Sequence, residues 1–519
     1  MTKIIQTLII GFILVASTSI VFGISHRDRD SALRDDELDD FIIQKMQQRH
    51  IPGLSASIVI DDAVKWQEAY GFADFKQNVS VTNETLFKIA SVSKTITATA
   101  LMQLYELGYF NLSDPINEYL PYPVVHPLYP STNITFHMLL THSSSINDNW
   151  QYLFYFVGDS PIPFQTFLNE YLVPGGLYYD SENNFCPWEP GTNCRYSNIA
   201  VALVGYLVEV ISDMNFTDYV ESYVFTPLDM NESAWFLRDL NISHIAMPYH
   251  WDGDEYIPYG HIGYVDVPAG DLRTTSSQLI HFLTMYINDG SYNNQIILND
   301  NTVQLMLTPQ LSFQPNIGLI WWKSTIGGRT VWGHNGADFG GRAMMHFDPS
   351  TRIGVVVLSN GEADLMDISD ALFTYGETLV NSPPDTPMRA SGQLQGTIQV
   401  EYRYTSQTYD PEDNQIYYLW DWGDGVFSGW LGPFSSGDEC SASHTWTEQG
   451  NYEIKVKAKD SNGAESTWSD PTPVIMPKNS YLAPMVFPKL FHWFFQDIFY
   501  FFSSLKMILE CSYEKIILF

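Results

Sequence analysis

Apolar and polar residues alternate along Ala56-Ser57-Ile58-Val59-Ile60 and again along Val64-Lys65-Trp66-Gln67-Glu68-Ala69-Tyr70. Two such runs around a short turn predict a β-hairpin. A helical pattern follows Ser91, and another spans residues 199–211. Residues 317–323 and 343–347 read as strands, Ile353-Gly354-Val355-Val356-Val357-Leu358-Ser359-Asn360 as a buried strand, and residues 364–380 as a final helix. Late strands returning to an early hairpin, with helices between, predict an α+β domain. Its antiparallel sheet is flanked by helices, and the cleft between sheet and helical lobe is the expected place for a site. Ser382-Pro383-Pro384-Asp385-Thr386-Pro387 breaks the pattern. Strand-like alternation then resumes over residues 397–404, 415–422, 441–447 and 452–459, which predicts a second, all-β domain.

The two ends differ from both domains. Residues 4–24 form an apolar run that reads as a secretory signal cleaved after Gly23, with an uncleaved anchor as the alternative. Residues 481–519 are rich in aromatics, but Asp497 interrupts them, which disfavours a clean membrane span. That tail is expected either at a membrane interface or packed on another domain. Membrane contact through either terminus is therefore one expectation.

Composition narrows the classes further. The 519 residues suit two or three domains, and a 45% hydrophobic fraction is ample for their cores. Lys+Arg number 26 against 59 Asp+Glu, a net charge of −33. Such a surface argues against nucleic acid, whose phosphates need clustered cations. No Cys/His cluster has metal-ligand spacing, and no cofactor is called for. Among the four cysteines, Cys186 and Cys194 flank a short loop and are a candidate disulfide in an oxidising compartment. Asn-x-Ser/Thr sequons at Asn78, Asn83, Asn111, Asn133, Asn215, Asn231 and Asn241 are candidate glycan sites.

Three short motifs carry the candidate chemistry. Ser91-Val92-Ser93-Lys94 places a serine and a lysine three residues apart at the start of a helix, on one face. The serine feels the positive end of the helix dipole. A buried lysine loses its charge more easily, and a neutral amine can take the serine proton. Tyr196 and Asn198 form Y-x-N before the helix over 199–211; a phenol near an ammonium is expected to ionise more readily and relay protons. His334-Asn335-Gly336-Ala337 is expected between strands, where small residues let backbone approach a ligand. Each motif alone is unspecific: S-x-x-K recurs at Ser503/Lys506 and Ser512/Lys515, Y-x-N at Tyr286/Asn288, and His-x-Gly at His261/Gly263.

In this order and context the three motifs resemble those of the serine β-lactamase and penicillin-binding-protein superfamily, especially its class C-like branch of esterases and D-amino-acid peptidases. Residues 135–145 and 268–275 resemble further family blocks, and the resemblance covers roughly residues 35 to 380. It implies a β-lactamase/transpeptidase-like fold. It makes Ser91 the nucleophile, Lys94 its base partner and Tyr196 a second proton-transfer group. Asn198 would position substrate and help hold Lys94. His334 and Gly336 would line the strand edge of the pocket, and the N–H of Ala337 would join that of Ser91 in an oxyanion hole. The departure is His334, where β-lactamases usually carry a lysine. A mostly neutral histidine weakens carboxylate capture and favours an esterase or peptidase over a penicillinase.

In the second domain, Trp420-Asp421-Trp422-Gly423-Asp424-Gly425 and His444-Thr445-Trp446 resemble the polycystic-kidney-disease (PKD) repeat, an immunoglobulin-like sandwich. Asp421 and Asp424 read there either as a cation site or, preferably, as turn-bracing residues. The expected organisation is a signal or anchor over 1–23, a hydrolase domain over 30–381, a linker over 382–391, a PKD-like sandwich over 392–477 and a tail over 478–519. The implied function is an exported, secreted or cell-surface serine hydrolase acting on an ester or peptide. Its partners would be a small-molecule or peptide substrate and, through the PKD-like domain, a cell-surface polymer or protein. The alternative is a non-enzymatic surface binder or a penicillin-recognising protein.

Overall fold

The computed structural model describes residues 35–477 and divides into two units after Val380. The expected signal or anchor and the aromatic tail lie outside the described residues.

The first unit is built on a seven-stranded antiparallel sheet. In chain order its strands are β1 (Gly53–Ile60), β2 (Ala63–Asp74), β3 (Val79–Ser80), β4 (Trp322–Ile326), β5 (Arg329–Asp338), β6 (Gly341–Asp348) and β7 (Ile353–Ser359). Their order across the sheet is β4-β5-β6-β7-β1-β2-β3. The predicted hairpin is β1-β2, and the late strands return to pair with it through Ser57↔Val356 and its neighbours.

Both faces of the centre are covered. Helices α1 (Asp35–Gln48), α2 (Ser93–Glu106), α3 (Asn198–Ser212), α4 (Ser276–Ile287) and α5 (Met366–Thr378) divide between them. Leu38 and Ile42 of α1 and Leu372 and Phe373 of α5 pack with Ile58, Val355 and Val357. The alternate residues Val59, Val356 and Leu358 join the opposite core, with α2, α3 and α4. Successive strand side chains point to opposite faces, so a strand buried on both sides must be apolar almost throughout. That is why residues 353–359 lack alternation.

Two expectations about the strands need correction. Residues 317–321 are buried but do not extend as a strand. Ile320 has φ +68°, the Gly318 N–H donates to the Trp321 carbonyl (2.8 Å), and β4 begins only at Trp322. Continuous apolarity there reports burial alone. His334-Asn335-Gly336 also lies inside β5, not between strands. β4 pairs β5 only as far as Gly333, opposite Trp322, so β5 from His334 onward has a free edge.

The second unit is an all-β sandwich. One sheet contains Ser391–Gly392, Glu401–Ser406 and Cys440–Thr445; the other contains Leu431–Phe434, Ile416–Asp421, Gly450–Asp460 and Thr472–Met476. Trp420, Trp422 and Trp446 fill the space between them. Asp421 Oδ1 accepts the Gly423 N–H (3.0 Å) and Asp424 Oδ1 the Val426 N–H (3.1 Å), while Asp424 Oδ2 meets His444 Nε2 at 2.7 Å. These carboxylates brace their own turn.

Candidate active site

Ser91 sits in a single 3₁₀ turn, Ala90–Val92, that leads into α2. Ala90 holds φ +47°, a conformation unfavourable for a residue with a Cβ. The turn leaves the serine partly accessible at the mouth of a helix. Lys94, in the first turn of α2, is fully buried. Its Nζ lies 3.0 Å from Ser91 Oγ and donates to the Ala269 carbonyl at 2.5 Å. Burial lowers the lysine pKa to about 8, against the opposing pull of Asp266, Asp148 and Asp338. A neutral amine has two N–H bonds and one lone pair. With the Ala269 carbonyl holding one N–H, the lone pair is free to face the Ser91 hydroxyl.

Tyr196 closes the group from the far side. Its ring centroid lies 5.0 Å from Lys94 Nζ, and its hydroxyl bonds to Ser91. The expected easier ionisation does not occur. Burial raises the phenol pKa, and nearby Asp148 and Asp266 raise it further, while the bond to Ser91 lowers it. Tyr196 is therefore a neutral phenol, a proton donor rather than a base at rest.

Asn198 does not hold Lys94. Its side-chain Nδ2 and backbone N–H both donate to Asp148 Oδ2, each at 2.9 Å. Asp148 Oδ1 accepts from Ser197 Oγ (3.0 Å) and the Ile199 N–H (3.1 Å). One buried carboxylate thus gathers four donors and fixes the start of α3, just beyond Tyr196. The favourable end of the helix dipole stabilises it there. Burial still raises the Asp148 pKa, against these donors and Lys94. Its loop, residues 148–163, also meets residues 249–264 as a strand pair, Tyr155–Val157 with Ile262–Tyr264.

On the strand side, His334 is buried, and its Nδ1–H donates to the Asn335 carbonyl at 2.7 Å. Burial, reinforced by Lys94, lowers its pKa to about 3, so it is uncharged at any physiological pH. Gly336 is buried, and only glycine fits there, since a Cβ would lie 2.1 Å from the Ile89 carbonyl oxygen. Asp338↔Gly341 closes a two-residue hairpin. Ladder alternation then turns the N–H of Ala337 away from β6, toward the free edge of β5. Ser91, Lys94, Tyr196 and His334 are neighbours, the Tyr196 and His334 rings lying 6.1 Å apart, and β5 reaches the turn before Ser91 at Gly336.

Sequence reasoning missed Asp148 and His142. His142, at φ +53°, lies with its ring centroid 4.5 Å from that of Tyr196, tilted by 34°, and accepts the Ser197 N–H on Nδ1 (3.2 Å). The only sequence signal for it is its place in the block at residues 135–145. The proposed disulfide is also absent. Cys186 and Cys194 are free thiols: the Cys186 backbone is tied to Ser145 and His126, while Cys194 Sγ points at the Thr141 carbonyl (3.6 Å). Burial pushes both thiols up to about 11.

The family model described as Beta-lactamase matches residues 38–373, about two thirds of the chain. The chain belongs to the beta-lactamase family. That is a family of serine hydrolases. A PKD domain model matches residues 381–474. "Penicillin-binding protein 4*" of Bacillus subtilis is 25% identical over 354 residues, 64% of this chain and 74% of that protein. "Protein flp" of Staphylococcus aureus is 24% identical over 253 residues, 49% of each chain, so this chain spans about half the length of those relatives. The D-amino acid amidase of Ochrobactrum anthropi SV3, solved with D-phenylalanine, aligns over 66% of this chain and 99% of its own. Its TM-score is 0.53 at 19% identity, a likeness of fold.

Proposed function

We propose that this chain is an exported serine hydrolase that forms an acyl-enzyme on Ser91 and acts on an ester, amide or peptide lacking a carboxylate at the His334 end. The observation that carries the reading is the buried Lys94 amine, 3.0 Å from Ser91 Oγ with a backbone carbonyl as its other partner. Lys94 takes the Ser91 proton as Oγ attacks the carbonyl carbon. The N–H groups of Ser91 and Ala337 receive the charge that develops on the carbonyl oxygen. Tyr196, a neutral phenol beside Ser91, donates its proton to the leaving group and regains one from the Lys94 ammonium. Water then attacks the acyl-enzyme by the reverse sequence and frees Ser91.

An uncharged His334 offers no cation to a substrate carboxylate, which supports neutral esters and amides over β-lactams. Export is supported by the apolar run at residues 4–24 and by the PKD domain, for which a cell-surface polymer or protein is the proposed partner. Steady-state assays with p-nitrophenyl acetate and benzylpenicillin test the substrate class. Benzylpenicillin forgoes the about 1.5–3 kcal/mol that a charge-assisted hydrogen bond to its carboxylate would contribute, so kcat/KM should favour the ester. Equal or faster turnover of benzylpenicillin would contradict the role given to His334.

A further inference from the structure

Three segments carry the reacting groups: the turn of Ser91, the loop of Ala269 and the end of β5 at Ala337. They meet at the ammonium of Lys88, three residues before Ser91. Lys88 Nζ lies 2.8 Å from Asp271 Oδ1 and 2.8 Å from Asp338 Oδ2. It also donates to the Ile262 carbonyl (3.2 Å) and sits 4.1 Å from the Tyr264 ring centroid. Asp338 directly follows Ala337, and Asp271 lies two residues after Ala269. Tyr264 ties the carboxylates together: its hydroxyl donates to Asp338 Oδ1 and its N–H to Asp271 Oδ2 (2.8 Å). Arg273 completes the group, donating to the Asp271 carbonyl (2.7 Å).

Arg342 likewise donates to the Asp338 carbonyl (2.8 Å), so one ammonium is shared by two carboxylates whose backbones are held by guanidinium groups, and the cluster is nearly dry. The side chains of Lys88, Asp271 and Asp338 are 14%, 4% and 8% exposed. A buried ion group is weak support for stability, because desolvation offsets most of its attraction. What it supplies here is geometry. Removing either carboxylate leaves a buried charge unpaired, so the three segments have one arrangement that satisfies all of them. Gly336 leaves no slack in that arrangement, since its backbone already touches the Ile89 carbonyl.

We propose that Lys88, Asp271 and Asp338 form a positioning cluster. It holds the Ser91 and Ala337 N–H groups in register as oxyanion donors and keeps the Ala269 carbonyl on Lys94. The role assigned to the three is positional, exerted through the backbone groups they hold. The inference rests on the Ser91 acyl-enzyme reading.

The test compares wild type, Asp338→Asn and the charge-neutral double variant Lys88→Met/Asp338→Asn. Each is assayed on p-nitrophenyl acetate and its thiono analogue after thermal unfolding has been recorded. A displaced oxyanion donor costs about 100-fold in kcat. Both variants should lose about that much on the ester, with KM within about threefold. Sulfur is a weak acceptor, so the thionoester should slow by less than about tenfold. The double variant restores the wild-type net charge, so recovered thermal stability with kcat still depressed supports positioning. Equal losses on the two substrates, or ester turnover recovering along with stability, would overturn the cluster's role. A wild-type enzyme that takes no covalent fluorophosphonate label at Ser91 would overturn the underlying reading instead.

Discussion

Lys94→Met is expected to cut kcat/KM by about 10²- to 10⁴-fold, the loss typical of an essential general base. The substitution keeps the length of the side chain in a fully buried site. It removes a group whose charged form is already disfavoured there, so thermal unfolding should change little. The wild-type pH profile is the second half of this expectation. The amine must be neutral to accept the Ser91 proton, and its pKa is lowered to about 8. At pH 7 about a tenth of the molecules are then competent, and kcat/KM should rise with pH through about 8. Tyr196, with its pKa raised, stays protonated across that window and imposes no falling limb within it. A Lys94→Met rate within tenfold of wild type, or a flat profile from pH 6 to 9, would contradict the base role.

Asp148→Ala is expected to be the most destabilising change near the site. Its four donors, Ser197 Oγ, the N–H groups of Asn198 and Ile199 and the Asn198 amide, would lose their acceptor together. Breaking a buried charged cluster by removing one partner costs about 3–5 kcal/mol, and each orphaned donor about 1–3 kcal/mol. The first turn of α3 would fray, and Tyr196 would lose the anchor that fixes its approach to Ser91. Denaturant unfolding should therefore show a loss of about 3 kcal/mol or more, with reduced kcat in the folded fraction. Asp148→Asn keeps one acceptor oxygen and should recover part of both. A stability change under 1 kcal/mol in Asp148→Ala would refute this account of the tyrosine loop.

The parts of the fold legible in the sequence were those fixed by local chemistry. The β1-β2 hairpin, α3 and β7 each declare themselves by period or by an unbroken apolar run. Residues 317–321 did not, because burial and strand formation leave the same apolar mark and only Ile320's left-handed backbone separates them. Ser91 and Lys94 were legible because the helix period itself brings them together. Asp148 was not: its donors lie about fifty residues on, in a loop without periodicity. The Tyr196 expectation failed for a related reason. Proximity to an ammonium was readable in the motif, but the burial of the phenol, which raises its pKa most, and the carboxylates of Asp148 and Asp266, which act in the same direction as burial, were not. Asn198 was given to Lys94 by resemblance and belongs to Asp148 by geometry.

Intact-protein and peptide mass spectrometry after exposure to a fluorophosphonate tests the central claim most directly. A single adduct on Ser91, formed faster as pH rises through about 8 and lost in Ser91→Ala, is the result the site geometry requires. An undiminished adduct in Ser91→Ala would place the nucleophile elsewhere and contradict it.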